Sequence, residues 1–481
     1  MATILRDFEE DAGKRQNSLQ IERRLLAHLP AYLLVATILA LAIAFGGVEA
    51  WAQSIAWFGV GSAGLALGLM LMSRVDLPRW DVRPVVAPGL LFVGLLVFIS
   101  LQSVPGLPHG VWHPIWAQAS AALSASLSGT ISATPGITRN ALGWYQYYLV
   151  LFLLGWAVGR NRDSAEAGLK ALLVVEVGLA CYGAFILAAG NTAVAFAERV
   201  AYRDSLTATF INKNSYATFV GLGVVTALGM IVSTLRREIN REDPLHIQVR
   251  TVIQLLITRY FLLVLCFSVL CVALSFTGSR AGVLTTALAC GIMIILVLSR
   301  RGLRMQSLLG AAALLALGVG GIMSIAGGRM TEGFTSASAF DSIDDRSVIY
   351  KSAITAFHHT PLLGNGLGSF EYVFTPYISD ELIGLRSVVD AHSSYLENLI
   401  ELGWPGTLVL LLSLGLLAYA CYNGIYRRKR VLPYSLIGLG ATVQVGLHSL
   451  VDFSLEIPAV TSAYVLLLAF GVAQSTSTRW H

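Results

Sequence analysis

Charged side chains are scarce. Only 13% of the 481 residues are Asp, Glu, Lys or Arg, against about 25% in a soluble domain. A chain so poor in charge cannot coat a water-facing globule, which excludes an ordinary soluble enzyme. Cysteine is also sparse. Cys181, Cys266, Cys271, Cys290 and Cys421 all fall inside apolar runs. None has paired or metal-ligand spacing, so neither a disulfide framework nor a zinc site is implied and the thiols read as small hydrophobes. Internal repeats, low-complexity tracts and a separate soluble domain are lacking too. The formal net charge of +5 reads as Lys and Arg gathered on one face of a membrane, not as a nucleic-acid surface.

What is present is apolar. Hydrophobic residues make up 55% of the chain, the mean hydropathy is +0.68, and the apolar residues run unbroken where a soluble helix would show a stripe. A bilayer core takes roughly 20 apolar residues per helix. The pattern predicts an all-α polytopic membrane protein of about twelve transmembrane helices, over 30–48, 52–72, 85–104, 142–158, 168–189, 215–234, 258–276, 282–298, 306–325, 404–423, 432–452 and 457–475. The segment before the first run is polar and charged (Asp7, Glu9, Glu10, Lys14 and Arg15 among others), and that run is long enough to stay as an anchor. No cleavable leader is expected. The expected organisation is a tail at 1–28, nine spans within 29–325, a long loop at 326–403, and three spans with the C-terminus in 404–481.

Basic residues set the orientation. Arg15, Arg23 and Arg24; Arg74, Arg79 and Arg83; Arg160 and Arg162; Arg236, Arg237, Arg241 and Arg250; Arg300, Arg301 and Arg304; and Arg427, Arg428, Lys429 and Arg430 all fall on one side when the spans are threaded in order. The positive-inside rule makes that side the cytoplasm. Both termini are then cytoplasmic. Four segments face outward: 103–140, rich in Pro, Gly, Ser and Trp; 191–214; the tight connection 277–282; and 327–403, the longest.

Few cations lie on the outer face. Arg280, between Gly278 and Gly282, is either a helix-end arginine snorkelling to water or a binding group. Arg346 follows Asp344 and Asp345, which can cap a helix whose Val348, Ile349, Ala353, Ile354, Ala356 and Phe357 form an apolar face fit for a membrane surface. Pro361 and Gly364 end that helix. Gly364-Asn365-Gly366-Leu367-Gly368 follows; it reads as a helix-to-helix turn more readily than as a phosphate cradle, since no strand precedes it. Asp390 can cap a short helix with His392 in its first turn, where the helix dipole favours the neutral imidazole a general base needs. A structural histidine is the competing reading. Gly403, Pro405 and Gly406 stop that helix. Asn212 and Asn214 flank Lys213 and either hydrogen-bond sugar or phosphate, or cap a helix. His448 and Asp452, four apart in the eleventh span, share a face as a functional or a structural pair. Glu176 raises the same question. Asp341, Asp344 and Asp345 can bind a divalent cation, though capping explains them more cheaply.

Together these segments resemble the O-antigen ligase and Wzy-type polysaccharide polymerase family. The resemblance rests on His392, Leu396, Gly403 and Gly406; on Gly278-Ser279-Arg280-Ala281-Gly282; on Arg346 with Thr360 to Gly368; on Phe210 to Ala217; and on His448 to Phe453. It covers roughly 200–460. Lys213 stands where relatives often carry arginine, which keeps charge but loses the bidentate fork. Up to about residue 190 only hydropathy matches.

The resemblance implies a GT-C-like membrane fold in the bacterial inner membrane with a periplasmic active site. The implied activity is transfer of a glycan from an undecaprenyl-pyrophosphate carrier to a glycan or lipid A-core acceptor, without metal or other cofactor. His392 would be the base. Arg280, Arg346 and Lys213 would bind pyrophosphate. Asn212, Asn214, Arg203, Tyr395, His448 and Asp452 complete the substrate-binding candidates. Membrane lipids are the other expected partners, and nucleic acid is not. Two rivals stand beside this: a polysaccharide or lipid-linked oligosaccharide transporter or flippase, against which the lack of internal symmetry counts, and a noncatalytic subunit of an export machine.

Overall fold

The computed structural model describes residues 26–72, 80–194, 197–199, 201–238, 243–300, 337–377, 390–427 and 433–476, with the side chains of 236, 237, 245 and 337–346 outside that description. The expected span at 306–325, the tail before residue 26, and basic residues Arg74, Arg79, Arg241, Arg301, Arg304, Arg428, Lys429 and Arg430 lie outside the described residues.

The helices are α1 (Leu26–Ile43), α2 (Ala52–Met72), α3 (Arg83–Gln102), α4 (Ile115–Leu123), α5 (Pro135–Gly159), α6 (Arg162–Ala188), α7 (Lys213–Glu238), α8 (Leu245–Ile257), α9 (Phe261–Phe276), α10 (Arg280–Ser299), α11 (Ala337–His359), α12 (Phe370–Phe374), α13 (Ser394–Arg427), α14 (Pro433–His448) and α15 (Pro458–Ala473). Among the described residues eight are long and apolar enough to cross a membrane: α1, α2, α3, α5, α6, α7, α10 and α13. The chain is thus a polytopic, mainly helical membrane protein. A two-residue antiparallel ribbon, β1 (Ala193–Val194) with β2 (Ala197–Glu198), lies between α6 and α7.

Several elements depart from the hydropathy pattern. The span expected at 258–276 is only the second arm of a bent pair: α8 and α9 meet at 79°. α8 is amphipathic, so its apolar face gave no continuous run to find. α5 begins at Pro135, before its apolar run, because Pro suits the first helical turn. α14 ends at His448, and the chain turns through Ser449 to Val451, so Asp452 does not share a helix face with His448.

α15 sits at the centre. All of its residues are buried, and helices α5, α7, α13 and α14 pack around it. A helix apolar on every side belongs in such a position. Its 16 residues rise only about 24 Å, short for a lipid-facing span, but its neighbours shield it. Small residues set the approach. A Cβ on Gly155 would meet Leu466 and Ala469 at 2.9 and 3.0 Å, and one on Gly438 would meet the Gly471 Cα at 3.2 Å. At the Arg160 end, the Arg160 guanidinium donates to Ala473 O and Thr476 Oγ1, both at 2.8 Å.

The long loop forms a second core. Ile349, Ala353 and Ala356 of α11 pack with Phe370, Val373 and Phe374 of α12 and with Ala391 and Ile400. Most of the apolar face of α11 therefore turns to protein, while Ile354 stays exposed. Asp344 and Asp345 lie inside this helix, which starts at Ala337, so neither caps it.

Candidate functional site

The site gathers at the end of the bundle where α7, α10 and α13 begin. α13 breaks at Gly403, whose φ of 67° and ψ of 174° are non-helical. The break leaves carbonyls of the preceding turn without helical partners. The glycine-rich turn supplies donors: Asn365 N to Ile400 O, and Gly366 N to Glu401 O, each 3.0 Å. In return Trp404 N donates to Pro361 O at 2.9 Å. Gln102 Nε2, from α3, donates to Leu363 O at 2.8 Å and Glu401 O at 2.9 Å. The Gly364-to-Gly368 motif is thus a backbone clasp on the α13 kink, in keeping with a turn and not with a phosphate cradle.

The clasp holds the first arm of α13 and the segment before it. Helix begins at Ser394, so Asp390 is no cap and His392 precedes the first turn. The dipole argument for a neutral His392 loses its footing accordingly. His392 takes a left-handed backbone, φ 52°, and is half-buried. Its ring lies 5.5 Å from that of Phe453, and its carbonyl accepts from Tyr350 Oη at 3.1 Å. Ser394 N donates to Ser449 O at 3.1 Å and Asp452 O at 3.3 Å. His392 is thereby fixed against the chain leaving α14.

That chain carries a buried polar network. Asp452 accepts from Asn214 Nδ2 at 3.0 Å and from Ser454 Oγ. Thr218 Oγ1 donates to Ser454 Oγ at 2.9 Å and contacts His448 Nδ1. Asn214, His448 and Asp452 are thus brought together, the latter two through Thr218 and Ser454. Asn212 is the helix cap of the two alternatives: its Oδ1 accepts from Asn214 N at 2.7 Å.

The cations fall nearby. Lys213 opens α7 and lies over the Tyr202 ring at 5.6 Å. Arg280 is the first residue of α10, capped by Ser279 Oγ accepting from Gly282 N at 3.2 Å. A Cβ on Gly282 would lie 2.6 Å from that of Ala217, so Gly282 draws the start of α10 onto the start of α7. Both helix starts carry partial positive charge. Arg203 turns elsewhere, to Arg199 O at 3.1 Å and Glu198 at 3.6 Å. Tyr395 donates to Gly446 O at 2.8 Å and, with Asn398 and Ser449, lines a cavity of about 220 Å³ between α13, α14 and α15. Arg346 lies in α11, its side chain outside the description, as are those of Asp341, Asp344 and Asp345.

Two features escape sequence inspection. Asp390, Glu397 and Glu456 place carboxylate oxygens within 4.8 Å of one another. They are the residues here that can hold a cation. Burial, then Asp452 and Glu371, push Asp390 up to about 6. Their separation along the chain hides the cluster. Arg199 is buried, donates to Thr207 Oγ1 and to Ala208 O, and is pushed down from its usual pKa by that burial. Glu176 is buried in α6 against Gly223, apart from this site.

Fold and site define a polytopic helical membrane protein with a polar centre where several helices begin. Residues 261–411 match the family model described as O-Antigen ligase. The match lies within the stretch of roughly 200–460 over which the sequence resembles that family. Among curated proteins none matches the chain.

Proposed function

We propose that the chain is an inverting membrane glycosyltransferase, a ligase or a polymerase, that moves a glycan from undecaprenyl-pyrophosphate to an acceptor hydroxyl on the periplasmic face of the bacterial inner membrane. It spans about twelve times with both termini in the cytoplasm. What supports this is that α7, opening with Lys213, and α10, opening with Arg280, start against each other, while the Asn214–Asp452 bond and Ser394 N to Asp452 O tie the segment carrying His392 to the start of α7. His392 takes the proton of the acceptor hydroxyl. The freed oxygen attacks the anomeric carbon, the bond to pyrophosphate breaks, and its electron pair stays on the phosphate oxygen. Arg280, Arg346 and Lys213 meet that growing charge.

A lipid-facing groove supports the donor's class. About 710 Å³ of space lies between α6 and α9, lined by Ala180, Cys181, Ala184, Val272 and Phe276. Phe276 stands four residues before Arg280, and its carbonyl accepts from Leu206 N at 2.9 Å. A prenyl chain in the groove sets its diphosphate beside the α10 start. The test is transfer by purified protein in detergent, where no compartment exists for a transporter to fill. Glycan joined to acceptor supports the enzyme, and full activity in chelator supports the metal-free chemistry. Lipid-linked substrate left unchanged removes the proposal.

A further inference from the structure

A second cleft lies at the other end of the bundle, between α1 and α6, where Arg160 and Arg162 lead into α6. Its volume is about 710 Å³. Asp163, Glu166, Ala167, Lys170, Ala171, Val174 and Val175 form one wall. They recur at three- and four-residue intervals and so make a single stripe along α6. The order along that stripe is informative. From the helix start inward it reads acid, acid, base, then apolar. The facing wall on α1 repeats the gradient with His28, Tyr32, Val35 and Leu39. His28 Nδ1 lies 3.1 Å from Ser164 Oγ, which joins the two helices at the mouth.

The geometry points to a binding site for a phospholipid with a primary ammonium headgroup. In such a lipid the ammonium lies outermost, the phosphodiester next and the chains deepest, which is the order of the cleft wall. Glu166 and Lys170 now pair at 2.8 Å across one turn. Four residues rise roughly 6 Å, so the same two side chains span an ammonium and the phosphate linked to it. The lipid inserts into the pair: ammonium on Asp163 and Glu166, phosphate on Lys170. The acyl chain follows Ala171, Val174 and Val175, deeper along the stripe than Lys170. Asp163, Glu166 and Lys170 sum to −1, which disfavours a headgroup of net negative charge.

The experiment is native mass spectrometry of the full chain released from detergent with phosphatidylethanolamine, phosphatidylcholine and phosphatidylglycerol of identical acyl chains. Phosphatidylethanolamine should be retained over both others, by roughly three- to fivefold, the scale of exposed ion pairs. In D163N/E166Q that preference should vanish, leaving phosphatidylethanolamine level with phosphatidylcholine. In Lys170→Gln, retention of all three should fall. Val174→Trp, which fills the deep end, should lower all three while sparing the Asp163 and Glu166 charges. Equal retention of the three lipids by the native chain, a preference for phosphatidylglycerol, or a preference unchanged in D163N/E166Q each overturns the assignment.

Discussion

His392 meets two separate demands with one side chain. Its left-handed backbone, φ 52°, costs most residues about 1 kcal/mol, while Asn tolerates it. Its imidazole is the proposed base. His392→Asn separates the two. The variant should keep the native melting profile in detergent but lose transfer by ~10²- to 10⁴-fold, the usual worth of a general base. Retained transfer removes His392 from that role. Asp390 offers a pH test. Its carboxyl is pushed up to about 6 from 3.8, first by burial. Between those two values the folded protein holds a proton that the unfolded chain has released, so stability falls as pH rises through the window. Above it the loss reaches at most about 3 kcal/mol. Asp390→Asn should therefore raise the melting temperature at pH 8 and leave it unchanged near pH 4. Destabilisation at pH 8 would mean that the charged carboxylate is held by a partner, such as a cation shared with Glu397 and Glu456.

Among elements, the clasp between the glycine turn and the α13 kink decides where His392 stands. Gly364 has φ 66°, and a Cβ there would fall 2.2 Å from Glu401 O. Gly364→Ala should cost roughly 2–4 kcal/mol through strain and displaced backbone. It should lower the melting temperature and weaken transfer, though no catalytic group is altered. A variant as stable as the native chain would mean that the clasp does not hold the kink. Local punctuation was legible in the sequence here. Gly364 to Gly368 read as a turn and Gly403 as a helix stop, because φ preferences are local. That each satisfies the other's backbone was not legible, since the pairing crosses 35 residues from Asn365 to Ile400. The start of α13 was misplaced for a related reason. Asp390 is the kind of residue that caps a helix, yet the helix starts later, where the Ser394 amide is taken by Ser449 O and Asp452 O.

At the scale of the molecule, hydropathy located α1, α2, α3, α6, α7, α10 and the second arm of α13 because lipid demands apolar length. It was blind to α8, whose apolar residues lie on one face, and to the central place of α15, which depends on neighbours. The candidate site residues stood out in the sequence as scattered motifs, but the contacts that join Asn214, His448 and Asp452 through Thr218 and Ser454 did not. The groove between α6 and α9 gives a direct reporter, since Cys181 lines it and is exposed. A maleimide should label Cys181, and undecaprenyl pyrophosphate should slow that labelling. Labelling at an unchanged rate in saturating lipid would place the prenyl chain elsewhere.

The central claim is that cations and one imidazole meet around a lipid diphosphate. It is tested most directly by glycan transfer in detergent with native protein, Arg280→Lys and Lys213→Ala, alongside undecaprenyl-pyrophosphate binding to each. Arg280→Lys keeps charge but loses the paired donors. Both variants should bind the lipid diphosphate more weakly and turn over more slowly than the native chain. Native-like binding and transfer in both would contradict the account.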